Sequence, residues 1–306
     1  MGLMNNSSFA KGVFFAASAY FVWGVLPMYW RLLSLISPMH ILAYRIVFSL
    51  LSVGLVLILN KNFSWLKFYQ DRKTRFSMLF AGLLICYNWG LYIWAVNEGR
   101  TIETSLGYYI NPLISIGLGL CFFKEKLKLL QIIAVASAFV GVMILTIFTG
   151  RLPWISLSLA VSFAFYSILK KTVKLSALES LGAETLVAAP VGLLLLLSNF
   201  GTAQSFQFTG LQGLSYMMEL PNIILFALIF CGAATSFPLY LFAKGAKMLP
   251  LSTLGFIQFI SPTMSFLIGL FVFRESFPVR NFIAFGFIWA AAILYIVSLK
   301  SATKSR

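Results

Sequence analysis

The sequence predicts an all-α integral membrane protein of ten transmembrane helices arranged as two inverted five-helix repeats. Three observations carry this expectation. Of the 306 residues, 60% are hydrophobic and only 10% charged, and mean hydropathy is +0.92; soluble domains run about 25% charged because polar groups must cover their surface. Apolar runs of roughly 20 residues, the length that crosses a bilayer, recur along the whole chain. The punctuation of the first half also returns in the second, as Ile110-Asn111-Pro112 with Lys124-Glu125 and then Ile260-Ser261-Pro262 with Arg274-Glu275.

In order, the expected spans lie at about 12–33, 38–60, 76–97, 102–123, 127–148, 153–169, 178–198, 221–243, 251–273 and 278–299. The first opens after Lys11; it is too long for a signal h-region and lacks a small-residue cleavage site, so it is a permanent span. The second runs up to Lys61, the third lies between Arg75 and Arg100, and the fourth ends before Lys124. The fifth reaches toward Arg151, the sixth stops at Lys170-Lys171, and the seventh follows Lys174. The eighth lies between a polar stretch near 199–220 and Lys244, the ninth between Lys247 and Arg274, and the tenth ends at Lys300. Each is expected to be a helix, because a spanning segment must satisfy its own backbone and nothing here alternates as a barrel strand does.

The basic residues fix an expected orientation. With a cytoplasmic N-terminus, seventeen Lys and Arg fall on the cytoplasmic side and five, Arg31, Arg100, Arg151, Arg274 and Arg280, on the outer side. Arg45 alone lies within a span. Cytoplasmic loops carry such an excess, so both termini, residues 1–10 and 300–306, are expected in the cytoplasm. The net charge of +15 therefore reads as a topology signal and not as a nucleic-acid surface, which needs a basic patch on a soluble face. The Asn-x-Ser matches at Asn5, Asn6 and Asn62 are then cytoplasmic chance hits.

Several chemistries are disfavoured. Cys86, Cys121 and Cys231 are far apart inside apolar runs, and there is one His; neither a disulfide framework nor a protein-ligated metal is expected. No GxxxxGK[ST] match offers a nucleotide site, and no cofactor is expected. An enzyme of lipid-linked substrates needs acid–base groups in surface loops, but the 199–220 and 61–75 stretches hold only Glu219 and Asp71. A non-transporting scaffold or sensor is the remaining alternative to a transporter.

The repeat is specific in its spacing. Both proline-to-acid intervals are 13 residues, and Thr104-Ser105-Leu106-Gly107 resembles Ser252-Thr253-Leu254-Gly255. The fourth span thus answers to the ninth, giving repeats at 11–148 and 153–299; five being odd, the second copy enters the membrane upside down. That is the plan of secondary transporters, whose sites lie between the halves near the midplane. Pro112 and Pro262 fall mid-span and free the carbonyls of Tyr108 and Gln258; these breaks either line a site or simply kink the packing.

At an offset of 139 residues, Arg45-Ile46 aligns with Glu184-Thr185. Each lies about 10 Å into its span, at 1.5 Å per residue, from opposite faces, so a direct bridge between them requires a tilt or an early helix start. Charges within a bilayer mark function or pairing by default. Ser49 and Ser52 continue a stripe from Arg45, as Ser180 and Ala188 do around Glu184; both stripes suit a cavity wall, and the alternative is that the two charges pair elsewhere to fix the helices. Asn88, inside hydrocarbon, needs partners, and its neighbour Tyr92 offers a flat amphiphilic surface, whereas Trp94 suits an interfacial belt. Gly24, Gly54, Gly117, Gly119, Gly141, Gly269 and Gly286 are read as close-packing sites.

Asn88-Trp89-Gly90-Leu91-Tyr92-Ile93-Trp94-Ala95-Val96-Asn97, Ser105 to Leu113, and Pro250 to Gly255 with Ser261-Pro262-Thr263 resemble the RarD branch of the EamA-type drug/metabolite transporters, from about residue 11 to 299. The resemblance implies two five-helix repeats in a bacterial inner membrane and the movement of small metabolites, often outward. Arg45-Ile46 and Glu184-Thr185 match the branch by position, while Tyr44 stands where His is common, which argues against a proton relay there. Residues and resemblance together give an expected permease working by alternating access around a cavity lined by Arg45, Asn88, Tyr92, Tyr108, Glu184 and Gln258. Arg45 is expected to hold an anionic group, and Glu184 an ammonium or a coupling proton. The expected partners are a small solute, such as an amino acid or other zwitterion, and the lipid bilayer.

Overall fold

Serine and proline start the second helix: Pro38 sits in the first turn, where no N–H is needed, and the Ser37 side chain accepts from the His40 amide. Similar local logic sets the other boundaries in the computed structural model, which describes residues 6–34, 36–98, 100–149, 154–197, 221–274 and 279–304. Among these the order is α1 (Asn6–Leu32), α2 (Pro38–Leu59), a 3-10 turn (Ser64–Tyr69), α3 (Arg72–Asn97), α4 (Thr101–Phe123), α5 (Leu129–Thr149), α6 (Trp154–Thr172) and α7 (Ala177–Leu197). There follow α8 (Asn222–Met248), α9 (Leu251–Gln258), α10 (Ile260–Leu267), a π-helical turn (Ile268–Val272) and α11 (Val279–Lys304). Among the described residues nine segments, with 251–272 taken as one, are long and apolar enough to cross a membrane. The shorter α6 carries four serines and Lys170-Lys171. The expected loop near 199–220 with Glu219, and the positions of Arg151 and Glu275, lie outside the described residues.

The ninth span is not the single helix expected over 251–273. It breaks at Phe259 between α9 and α10 and widens into the π turn. Pro262 cannot donate to the Gln258 carbonyl, and the chain parts at that level. Pro112, its counterpart, stays inside a continuous α4. Lys124 and Arg274, which correspond in the repeat, both end their segments in the left-handed region, at φ 51 and φ 54.

Helices that correspond in sequence pack against each other antiparallel. On the α2–α7 seam a Cβ on Gly192 would meet Ile46 at 2.8 Å and one on Gly182 would meet Leu57 at 2.6 Å. On the α4–α9 seam, Gly119 faces the Ser252 amide, Gly255 faces Pro112 and Ile116, and the Tyr109 hydroxyl donates to the Pro262 carbonyl at 3.2 Å. The helix break at Phe259 therefore lies level with Pro112. The other main packed pairs, α1 with α8 and α10, α2 with α8, α3 with α6 and α7, and α4 with α6, exchange among themselves when the two halves are swapped.

One face gathers the ends rich in Lys. There Gly12 meets Met248 and Leu249, Lys171 donates to the Ala246 and Leu249 carbonyls, and Lys247 donates to Val173 at 2.5 Å. The Glu125 carboxylate joins the halves by accepting from the amides of Leu251 at 2.6 Å and Ser252 at 2.9 Å, at the start of α9. Anions are favoured at that end of a helix.

The tightest approach is between α2 and α8. A Cβ on Gly232 would lie 2.1 Å from the Phe48 carbonyl carbon and 2.3 Å from its oxygen, so only glycine admits the crossing. Gly232→Ala is expected to destabilise the protein by about 1–3 kcal/mol, as overpacking does, read as a lower melting temperature in detergent. Gly54→Ala, where no atom lies within 4 Å of the new Cβ, is expected to leave it unchanged.

Candidate functional site

Arg45 projects from α2 toward the Gly232 crossing on α8. Its Nε donates to Thr235 Oγ1 at 3.1 Å, and one and two turns on, Ser49 donates to the Gly232 carbonyl at 3.2 Å and Ser52 meets Ser236 at 3.2 Å. The stripe read as cavity wall is, from Ser49 onward, a seam between two helices. Arg45 stands at its open end. The guanidinium carbon lies 4.5 Å from the ring centre of Trp30 on α1 and 4.6 Å from that of Trp89 on α3, so two indoles clamp the cation. Tyr29, Tyr92, Tyr108 and Cys231 are close enough to interact with it electrostatically.

Among the described residues no carboxylate lies within 4 Å of Arg45, and no hydrogen bond is made by its two terminal nitrogens. Neither nitrogen is walled off without a partner, so both remain accessible. Tyr108, on α4, is 44% exposed although it faces this buried-side cation, and its ring lies 5.9 Å from that of Tyr92. Arg45, Tyr92 and Tyr108, from three helices of the first half, thus lie near one another, with Thr235 of α8 against the same guanidinium.

Glu184 lies elsewhere. Its Oε2 is 2.8 Å from Lys170 Nζ, its Oε1 accepts from the Tyr166 hydroxyl at 2.9 Å, and Lys170 also donates to Ser180 at 2.8 Å. Lys170 is fully buried and Glu184 1% exposed. From the α2–α7 register Glu184 sits beside residues 54–55, about nine residues or roughly 14 Å along α2 from Arg45. Among the described residues no direct bridge joins the two.

Asn88 is buried and spends its amide on α6, donating to the Leu159 carbonyl and to Ser162, both at 2.9 Å. Gln258 ends α9 with 5% exposure, level with Pro112. The structure therefore sets Arg45, Tyr92 and Tyr108 beside one another and commits Asn88 and Glu184 to contacts between helices, while the Gln258 side chain makes no hydrogen bond among the described residues and is not walled off without one.

Trp30, Thr235 and Lys170 were not among the expected site residues, and Trp89 entered only as part of an aromatic run. Lys170 sits at a helix end, where a lysine reads as a loop charge. Its signal was the match of two i, i+4 pairs, Tyr166 with Lys170 and Ser180 with Glu184, on helices joined by a short turn. Nothing in the local sequence marks Thr235 or Trp30, because their role is set by where α8 and α1 meet α2.

The sequence signature of the EamA-like transporter family matches residues 10–147. The chain is 39% identical to the uncharacterized transporter YojE of Bacillus subtilis, over 99% of this chain and 100% of that protein. It is also 39% identical to the protein RarD of Streptomyces exfoliatus, over 96% and 91% of the two. A solved crystal structure shares the fold, with a TM-score of 0.71 at 16% identity over 96% of this chain and 99% of the other.

Removing one member of a buried ion pair strands the other, at a cost of about 3–5 kcal/mol, whereas replacing both by apolar groups is often neutral. Lys170→Met alone is expected to lower the melting temperature of the purified protein sharply. Lys170→Met with Glu184→Leu is expected to recover most of that loss.

Proposed function

The chain belongs to the RarD branch of the EamA-like transporter family and is a multi-pass membrane transporter; from that premise we propose that it moves a small organic metabolite by alternating access, outward across a bacterial inner membrane. In this reading residues 11–148 and 153–299 are inverted repeats that rock against each other. The antiparallel packing of α2 on α7 and of α4 on α9 supports it. The Lys-rich face is the cytoplasmic one, carrying both termini, in line with the positive-inside rule.

Arg45 is the anchor for an acidic group of the solute. One observation carries this: a guanidinium clamped between two indoles, with free terminal donors and no carboxylate partner among the described residues. Such a group offers a fork of donors matched to a carboxylate, and a bound anion would offset the cost of leaving a charge unpaired at depth. Tyr92 and Tyr108 hold the body of the solute. Pro112 and the Pro262 break, with Gln258 between them, supply the flexing point of the two central helices, and Asn88 keeps α3 on α6 as they move. Glu184 is the candidate for proton coupling, since protonating its carboxylate would release Lys170.

A metabolite comparison between cells lacking and overproducing the protein would identify the solute. With that solute, Arg45→Ala in proteoliposomes is expected to reduce flux at least ten-fold while the protein stays folded. Undiminished flux would remove Arg45 from the site.

A further inference from the structure

We infer that the Arg45 opening selects solutes carrying a single negative charge on a flat apolar body, and discriminates against zwitterions such as amino acids. This rests on the transport reading above and names the class of molecule for the same site.

The argument is an accounting of charge. A zwitterion brings an ammonium that needs an anion or several acceptors of its own once out of water. Of the eight acidic residues in the sequence, six are described, and none of them faces Arg45. Glu184 is bound by Lys170 and Tyr166, Glu103 pairs with Arg100 at 2.8 Å, and Glu125 is held by the Leu251 and Ser252 amides. Glu179 accepts from Ser64 and Asn62, Asp71 accepts from Thr74, and Glu98 is exposed beyond the end of α3. The groups that do surround the guanidinium, Tyr29, Tyr92, Tyr108 and Cys231, belong to types that are neutral at pH 7.

Among the described residues the Arg45 charge is therefore unbalanced, and an ammonium carried beside it would meet repulsion from Arg45 instead of a counter-ion from them. The geometry sets the shape as well. Thr235 takes Nε and the Trp30 and Trp89 rings lie against the guanidinium, so the two terminal nitrogens are the donors left for a ligand, to which a carboxylate fits side-on. Beyond those nitrogens the Tyr92 and Tyr108 rings, tilted 59° to each other, offer flat surfaces for an apolar body.

Three probes share one body and differ in charge: 3-phenylpropanoate, phenylalanine and phenethylamine. Binding of each to the detergent-purified full chain is followed by tryptophan fluorescence, since Trp30 and Trp89 flank the charge, with melting temperature as a control. The expected result is saturable binding of 3-phenylpropanoate at least ten-fold tighter than of phenylalanine, with phenethylamine weakest. Arg45→Gln is expected to abolish the preference without lowering the melting temperature, because it removes a charge that has no ionic partner; Arg45→Lys should keep the order. Equal or tighter binding of phenylalanine, a preference that survives Arg45→Gln, or failure of all three to bind overturns the assignment. Because no flux is measured, a charge preference in a protein that carries nothing across proteoliposomes would sink the transport reading and leave this one standing.

Discussion

Hydrocarbon offers no hydrogen-bond partner, so a chain that spans it must settle its polar groups internally. Most of the architecture follows from that constraint. Asn88 is spent on the α6 backbone, Ser49 and Ser52 on α8, and Thr185 on its own helix. Lys170, Ser180, Tyr166 and Glu184 satisfy one another. Each of these ties either fixes a helix pair or closes a turn. Against that background the terminal nitrogens of Arg45 stand apart: the Tyr20 hydroxyl and Glu103 Oε2 are also unpartnered but are buried against protein, whereas those of Arg45 remain accessible, and an accessible charge at membrane depth is where a ligand contributes most.

The two faces of the molecule are not alike. At the Lys-rich face, Glu125 holds α4 to the start of α9, and lysines from α6 and α8 donate to one another's terminal carbonyls. On the other side of the Pro112 level lies the exposed ring of Tyr108. The same antiparallel seam of α4 and α9 runs through both regions, with the helix break in its middle. In the proposed alternating access, motion about that break would change the spacing at the two ends in opposite senses.

The spans were legible because hydropathy and charge placement carry their signal locally. The second span was expected at 38–60 and forms at Pro38–Leu59; the fourth, expected at 102–123, forms at Thr101–Phe123. The π turn was not legible, since a proline announces a break without fixing how the helix resumes. For the site, the singular intramembrane Arg45 and the aromatic Tyr92 and Tyr108 could be singled out from residue type and depth. Their clamp could not, because Trp30, Trp89 and Thr235 come from three different helices and meet only in three dimensions. The glycines divide in the same way. Gly24, Gly119 and Gly141 sit against neighbours closer than 3 Å from a would-be Cβ, whereas Gly54, Gly117 and Gly286 face nothing within 4 Å.

The Lys170–Glu184 pair also bears on biogenesis. A lysine near the end of a serine-rich helix weakens the case for that helix entering the bilayer alone, at about 2.5–3.5 kcal/mol on insertion scales for a centrally placed charge. Its neutralising carboxylate emerges from the ribosome only with the next segment, after a turn at 173–176. Hence α6 and α7 gain by partitioning from the translocon together, as a hairpin whose charges cancel on entry.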